Sequence, residues 1–132
     1  MKKTTAGKRS KVSYIGAPKV FALELACREV CDAFEGYGCY IVGSSLERPD
    51  WRDVDVRFIM DNKDFDALFP DATENLWEQD SRWLLLTTSI SARLSQLTGL
   101  PVDFQFQRQS HANDKHKGLR HPVGLRVMKR SQ

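Results

Sequence analysis

The chain has 132 residues, of which 41% are hydrophobic and 28% are charged. This length and balance predict one globular domain whose core is large enough to fold without disulfides. No apolar run reaches the roughly 20 residues that a membrane helix requires, and the Lys-rich N-terminus lacks the apolar segment of a secretory signal. We therefore expect a cytoplasmic protein that makes no membrane contact.

The net charge of +3 conceals a segregation of charge along the chain. Residues 1–12 carry five cations and no anion, residues 108–130 carry seven cations and one anion, and the intervening body has a net charge of −8. This pattern predicts a flexible basic arm over residues 1–13, followed by a single domain over residues 14–132 with a basic C-terminal segment, 108–132. An acidic body with basic ends suits an acidic metal site with phosphate-binding cations nearby, and solvated tails are the alternative.

The first predicted element is an amphipathic helix. After Pro18, apolar residues recur at three- and four-residue intervals from Val20 to Phe34. The apolar run 39–42 then predicts a buried strand that ends at Gly43-Ser44-Ser45, and the alternating segment 53–60 predicts a second strand.

The second half of the chain continues with helices and a third strand. A short helix is predicted around Phe65, and a longer amphipathic helix extends from Trp83 to a stop at Gly99. A third strand covers residues 102–107, and the segment after it is predicted to contain a turn at His121-Pro122 and a short strand over 124–128. The order predicts an α/β (α+β) fold in which helices pack on a small mixed sheet.

Three cysteines are too few and too irregularly spaced for a disulfide framework. Cys27 and Cys31 lie on one face of the first predicted helix, and the first histidine is His111. A structural zinc site needs four suitable ligands, so we expect reduced, buried thiols instead.

Candidate metal ligands are found on two of the predicted strands. Asp53 and Asp55 project from the same face of a strand, with Cα atoms about 6.6 Å apart at a rise of about 3.3 Å per residue. They would repel each other unless a cation lies between them, either a metal or the guanidinium of Arg57. Asp103, placed among apolar neighbours of the third strand, is costly unless it is paired or metal-bound.

Three carboxylates on two strands can hold two Mg²⁺ ions about 3.5–4 Å apart, the spacing used for displacement at phosphorus. In that arrangement Asp53 and Asp55 ligate both ions. Asp103 ligates the ion that activates the attacking hydroxyl, and could also accept its proton. The turn Gly43-Ser44-Ser45 would supply backbone N–H groups and hydroxyls to phosphates, although such a turn alone is weak evidence.

Together these motifs resemble the polymerase-β-type nucleotidyltransferase superfamily. The resemblance rests on Ile41-Val42-Gly43-Ser44, on Asp53-Val54-Asp55-Val56 after a loop, and on Val102-Asp103-Phe104. It covers roughly residues 17–107. In size the chain resembles stand-alone minimal nucleotidyltransferases, which include phage-encoded ones and antitoxins that nucleotidylate a partner toxin.

The resemblance implies an NTP donor, Mg²⁺ or Mn²⁺, and transfer of a nucleoside monophosphate to a hydroxyl with release of pyrophosphate. The acceptor stays open among a protein such as a toxin, a small molecule and a nucleic acid such as RNA. The alternative function is a non-catalytic antitoxin-like or nucleic-acid-binding module that retains the fold. In that module, the acids would pair with arginine in place of a metal.

The basic C-terminal segment has two interpretations of equal weight. It could fold back so that its cations offset charge on the triphosphate, and Arg120 is then the leading candidate because a turn can hold it. It could instead be solvated or contact nucleic acid. The three histidines, His111, His116 and His121, match no standard zinc pattern and are expected at the surface.

Overall fold

The computed structural model describes residues 13–72 and 76–124. Within these ranges the helices are α1 (Lys19–Ala33), α2 (Ser44–Glu47), α3 (Asn62–Leu68), α4 (Ser81–Thr98) and α5 (Gln109–Lys115), with a 3₁₀ turn at Trp77–Gln79. The strands are β1 (Gly38–Val42), β2 (Val54–Met60), β3 (Val102–Arg108) and β4 (His121–Val123). This arrangement confirms the predicted mixed α/β class. Among the helices so described, none combines the length and apolar character needed to cross a membrane.

The four strands form one mixed sheet in the order β3-β2-β1-β4. β1 pairs antiparallel with both β2 and β4, whereas β2 and β3 run parallel. The register places Asp55 of β2 between Val42 of β1 and Asp103 of β3. Two strands that are far apart in sequence therefore bring their acidic residues side by side.

The hydrophobic core covers one face of this sheet. Alternate residues of β2 and β3 are buried there, because successive side chains of a strand point to opposite faces. α1 contributes Leu23, Cys27 and Val30 at helical spacing, and α4 contributes Trp83 and Leu94. The strand residues of this core are Val54, Val56, Phe58, Met60, Val102, Phe104 and Phe106. The polar residues between them consequently share the opposite face.

The exposed edge of β3 is closed by polar side chains of α4. Ser95 Oγ accepts a hydrogen bond from the Val102 N–H at 2.9 Å, and Ser91 Oγ accepts one from the Phe104 N–H at 2.9 Å. The Trp83 indole N–H donates to the Phe106 carbonyl at 3.0 Å. An edge strand otherwise presents unpaired backbone groups, so these contacts satisfy the edge and hold β3 against the helix.

The region after β3 differs from its predicted course. A turn was predicted at His121-Pro122, but these residues begin β4, where Pro122 lies opposite Tyr40. Proline is tolerated there because β4 is an edge strand. α5 was not predicted, since its seven residues have weak apolar periodicity and its buried Ala112 depends on tertiary contact. The strand predicted over 124–128 lies outside the described residues beyond Gly124.

The start of the described chain also departs from the predicted arm. Ser13, which was assigned to the arm, is buried, and its hydroxyl accepts a hydrogen bond from the Ile15 N–H at 3.3 Å. The Tyr14 N–H donates to the Ser45 carbonyl at 2.7 Å. Residues 1–12 of the predicted arm lie outside the described residues.

Candidate functional site

Asp55 is the central acid of the candidate site. It lies on the polar face of β2, opposite to the core residues Val54 and Val56, and is partly exposed. Asp53 directly precedes β2 instead of forming its first residue, and its side chain is exposed. The two acids are therefore two residues apart, but only Asp55 lies within the strand, whereas Asp53 was predicted to begin it.

Asp103 is the neighbour of Asp55 across the parallel β2–β3 pair. Its own flanking residues, Val102 and Phe104, are buried in the core, so the Asp103 side chain projects to the polar face. Packing of β3 against α4 therefore determines where this carboxylate lies. The two acids that were predicted to converge from different strands are adjacent in the sheet.

A guanidinium lies beside these two carboxylates. Arg57 Nη2 is 3.4 Å from Asp103 Oδ2 and 3.9 Å from Asp55 Oδ1. The Arg57 side chain is only 10% exposed, whereas the Asp55 and Asp103 side chains are 27% and 43% exposed. Its Nη1 donates to the carbonyls of Asp103 at 2.7 Å and Val56 at 3.0 Å. Arg57 is thus anchored to the backbone of both strands while it neutralises the acids.

The electrostatic environment affects protonation of Asp55. Burial raises the pKa of the Asp55 carboxyl above its usual value, and the nearby carboxylates of Asp103 and Asp53 add to that increase. The positive charge of Arg57 opposes it. The folded protein therefore gains from additional positive charge close to Asp55.

Gly43 forms the other wall of the acidic site. Its backbone has φ +82° and ψ −155°, a region that only glycine adopts readily. A Cβ at this position would lie 2.5 Å from Asp55 Oδ2, which means that the carboxylate occupies the space left by the absent side chain. The glycine thereby allows close approach of the β1–α2 turn and the acid.

The two serines after Gly43 differ in their accessibility. Ser44 is the first residue of the one-turn helix α2 and is partly exposed. Ser45 is completely buried, and its hydroxyl has no hydrogen-bond partner among the residues that the structure describes. Ser44 is therefore the better placed of the two to meet a ligand.

Trp51, in the loop before β2, packs against the core and donates from its indole N–H to the Tyr14 carbonyl at 3.1 Å.

Arg120 immediately precedes β4 and is half-buried. The C-terminal end of α5 holds it, since Arg120 Nη2 donates to Asn113 Oδ1 at 2.8 Å and its Nε donates to the His116 carbonyl at 3.1 Å. Burial raises the pKa of Tyr40, and the charge of Arg120 opposes that rise. Since Tyr40 is the register partner of Arg57, Arg120 borders the same polar face as the acids.

All three histidines were expected at the surface and are instead partly buried. Burial lowers the pKa of both His111 and His116, and the Arg57 charge lowers them further. The His111 ring contacts Trp77 edge-on at 4.6 Å. The Nε2 atom of His116 is buried without a hydrogen-bond partner in the described part of the chain. The five-residue spacing of these histidines after the third strand was the available sequence signal.

The donor chemistry of the site suits a hard divalent cation. Carboxylate oxygens are the ligands that Mg²⁺ prefers. Positive charge beside Asp55 and Asp103 comes from the Arg57 guanidinium in this structure. Over residues 13–72 and 76–124, no three His, Cys, Asp or Glu side chains form a metal-ligand cluster. Asp55 and Asp103 are adjacent across the sheet, and the exposed Asp53 does not complete a three-ligand group with them.

No family model matches the chain, and no curated protein or solved structure is significantly similar to it.

Proposed function

We propose that this protein is a metal-dependent nucleotidyltransferase that transfers a nucleoside monophosphate from an NTP to a hydroxyl acceptor and releases pyrophosphate. The observation that carries the proposal is the meeting of Gly43, Asp55 and Asp103. Asp55 contacts the Gly43 turn, and Asp103 is its partner in the sheet. Asp53 lies two residues before Asp55 and is open to solvent.

The proposed roles follow the chemistry of each side chain. Asp53, Asp55 and Asp103 would hold Mg²⁺ or Mn²⁺, which when bound neutralises the triphosphate and activates the acceptor hydroxyl. Asp103, the more exposed member of the Arg57-linked pair, could take the hydroxyl proton. The Gly43 turn and the Ser44 hydroxyl would bind phosphate oxygens.

The cations of the polar face would support the negatively charged part of the donor. Arg57 is held within the sheet by the carbonyls of Asp103 and Val56, so it presents a positive charge of defined position. Arg120 borders the same face from the β4 side. Such preorganised cations stabilise the charge that develops on a leaving pyrophosphate.

The alternative function is a non-catalytic antitoxin-like or nucleic-acid-binding module. The contact of Arg57 with both Asp55 and Asp103 is the specific observation in its favour, since this arrangement satisfies the acids without a metal. In this case the basic ends of the chain would hold RNA or another partner, with an affinity that falls steeply as salt is added.

Thermal unfolding with nucleotides tests the proposal without knowledge of the acceptor. The melting temperature is measured with each of the four NTPs, with and without Mg²⁺, for the wild type and for Asp55→Asn and Asp103→Asn. Asp50→Asn is the matched control because Asp50 is an exposed acid whose charge is paired with Arg48. Ligand at about 100 times its Kd adds roughly 2.7 kcal/mol, or roughly 10 °C for a chain of this length.

We expect a Mg²⁺-dependent increase in Tm with at least one NTP, retained in Asp50→Asn and lost in both site variants. An NTP labelled at the α-phosphate then identifies the acceptor, because the label is transferred to protein, RNA or a small molecule. If no NTP raises the Tm in the presence of Mg²⁺ and the protein binds RNA with a steep salt dependence, the binding module is the correct function.

A further inference from the structure

A cluster of three thiols lies between α1 and β1, on the core side of the sheet. Cys27 and Cys31 are one helical turn apart in α1, and Cys39 of β1 faces them. All three are free thiols; Cys27 and Cys39 are fully buried, and Cys31 is partly exposed. Solvent therefore reaches this cluster at Cys31.

Cys39 connects the other two cysteines. Its Sγ lies 3.9 Å from the Cys27 carbonyl, which accepts its weak hydrogen bond. In an α-helix the Cys27 carbonyl also accepts the N–H of Cys31, so the Cys39 sulfur lies against the turn of α1 that carries both other thiols. Cys39 of β1 therefore lies next to the turn that carries the accessible cysteine.

These contacts divide the cluster into a nucleophile and a thiol that remains protonated. The hydrogen bonds from Cys39 lower the pKa of Cys31 to about 7, against the raising effects of burial and of the Asp32 and Glu24 carboxylates. Hydrogen bonds to Cys27 and Cys31, together with burial, raise the pKa of Cys39 well above its usual value. Burial raises the pKa of Tyr40, and the nearby Cys31 charge adds to that rise.

We propose that Cys31 is a site of oxidation by hydrogen peroxide and that Cys39 resolves the product as a Cys31–Cys39 disulfide between α1 and β1. In the first step the Cys31 thiolate attacks one peroxide oxygen, the O–O bond breaks, and hydroxide leaves, which gives a sulfenic acid. In the second step the Cys39 sulfur attacks the Cys31 sulfur, the S–O bond breaks, and the Cys39 proton combines with the leaving hydroxide to form water. The peroxide is reduced and two thiols are oxidised.

The geometry favours Cys39 over Cys27 as the resolving thiol. Residues four apart on a helix have Cβ atoms about 5–6 Å apart and parallel Cα–Cβ bonds. A disulfide needs Cβ atoms about 3.5–4.5 Å apart, so a Cys27–Cys31 bridge would distort α1. Cys39 approaches the same turn from the neighbouring strand, with its sulfur 3.9 Å from the Cys27 carbonyl.

Tryptic digestion distinguishes the two pairings directly. Cys31 and Cys39 lie in one tryptic peptide, residues 29–52, because Arg48 is followed by Pro49 and is not cleaved. Cys27 lies in a separate peptide, residues 20–28. The reduced protein is treated with stoichiometric hydrogen peroxide, and its remaining thiols are alkylated. The masses of its tryptic peptides are then measured by mass spectrometry.

We expect the 29–52 peptide to lose two hydrogens and escape alkylation while the 20–28 peptide is alkylated. Cys39→Ser should stop at the sulfenic acid, which dimedone traps on Cys31. Cys27→Ser is the matched control and should still form the bridge. Cys31→Ser should slow thiol oxidation by about tenfold or more, because the two remaining thiols, Cys27 and Cys39, are buried away from the peroxide. Folding of each variant is checked by circular dichroism.

The pH profile of alkylation provides a second readout. It is measured on the wild type, so it does not depend on whether a variant folds. The rate of iodoacetamide addition to Cys31 in the wild type should be half-maximal near pH 7. After denaturation the midpoint should move to about 8.5, the value for a free thiol. A cross-link between peptides 20–28 and 29–52, or equal alkylation midpoints for Cys31 in the native and denatured protein, would overturn the proposal.

Discussion

Replacement of Gly43 by alanine tests whether the acidic site depends on the turn after β1. The native backbone, at φ +82° and ψ −155°, lies in a region that is essentially restricted to glycine. Holding alanine there costs about 1–3 kcal/mol. With an unfolding entropy of about 2.1 cal/mol/K per residue, this cost lowers the Tm by roughly 4–11 °C.

The added methyl group would also displace the central acid. Its position lies 2.5 Å from Asp55 Oδ2, below any normal contact distance, so the carboxylate must move. The displacement should abolish the Mg²⁺-dependent increase in Tm that we expect for the wild type with an NTP. Urea denaturation measures the loss of stability, and thermal unfolding with and without Mg²⁺-NTP measures the loss of binding.

Gly99→Ala separates the effect on the backbone from the effect on the carboxylate. Gly99 ends α4 with φ +76°, but a Cβ there would be 3.8 Å from its nearest neighbour, Lys19 Nζ. This variant should lose about 1–2 kcal/mol of stability through its backbone and keep full nucleotide binding. If Gly43→Ala is as stable as the wild type, or binds Mg²⁺-NTP equally well, our account of this turn is wrong.

Three further predictions concern the sheet and its polar face. Ser91→Ala and Ser95→Ala each remove hydrogen-bond partners from the edge of β3 and should lower the unfolding free energy by about 1–3 kcal/mol. The control Ser89→Ala, at an exposed position of the same helix, should lower it by less than about 0.5 kcal/mol. Urea denaturation measures all three values. Arg57→Gln leaves two adjacent carboxylates unpaired and should lower the unfolding free energy by about 1–3 kcal/mol. The loss is smaller than for a fully buried ion pair because both acids are partly exposed. Mg²⁺ should restore part of that stability, and equal denaturation curves with and without Mg²⁺ would argue against a cation position. Burial and the Arg57 charge lower the pKa of His116, so below about pH 6.5 the unfolded chain binds more protons than the folded protein. The unfolding free energy should therefore decrease as the pH is lowered through this range. His116→Gln should make that decrease smaller in a pH series of denaturation curves.

The main helices and strands could be predicted because their signals are local. Helical spacing of apolar residues marked α1 and α4, and Gly99, which ends α4, adopts the expected left-handed conformation. Alternation marked β2 and β3. The short elements α5 and β4 were not predicted, because their stability depends on contacts with distant parts of the chain.

The candidate site could be anticipated as a set of residue types, although its pairing could not. The Asp-x-Asp spacing indicated two acids at the start of one strand, and apolar neighbours marked Asp103 as unusual. The sequence left open whether Arg57 or a metal neutralises them. It also did not indicate that the charge of Arg57 would act on His116, since that depends on how α5 folds back after β3.

The sequence by itself determined which segments become the long helices and core strands, and which face of each strand carries the acids, because side-chain periodicity is a property of the local backbone. Only the tertiary structure decided that Asp55 and Asp103 are register partners, that Arg57 lies beside both, and that Gly43 makes room for the Asp55 carboxylate. These relations depend on strand order and on the packing of β3 against α4. Both are set by contacts between residues that are distant in the chain, so no local pattern encodes them.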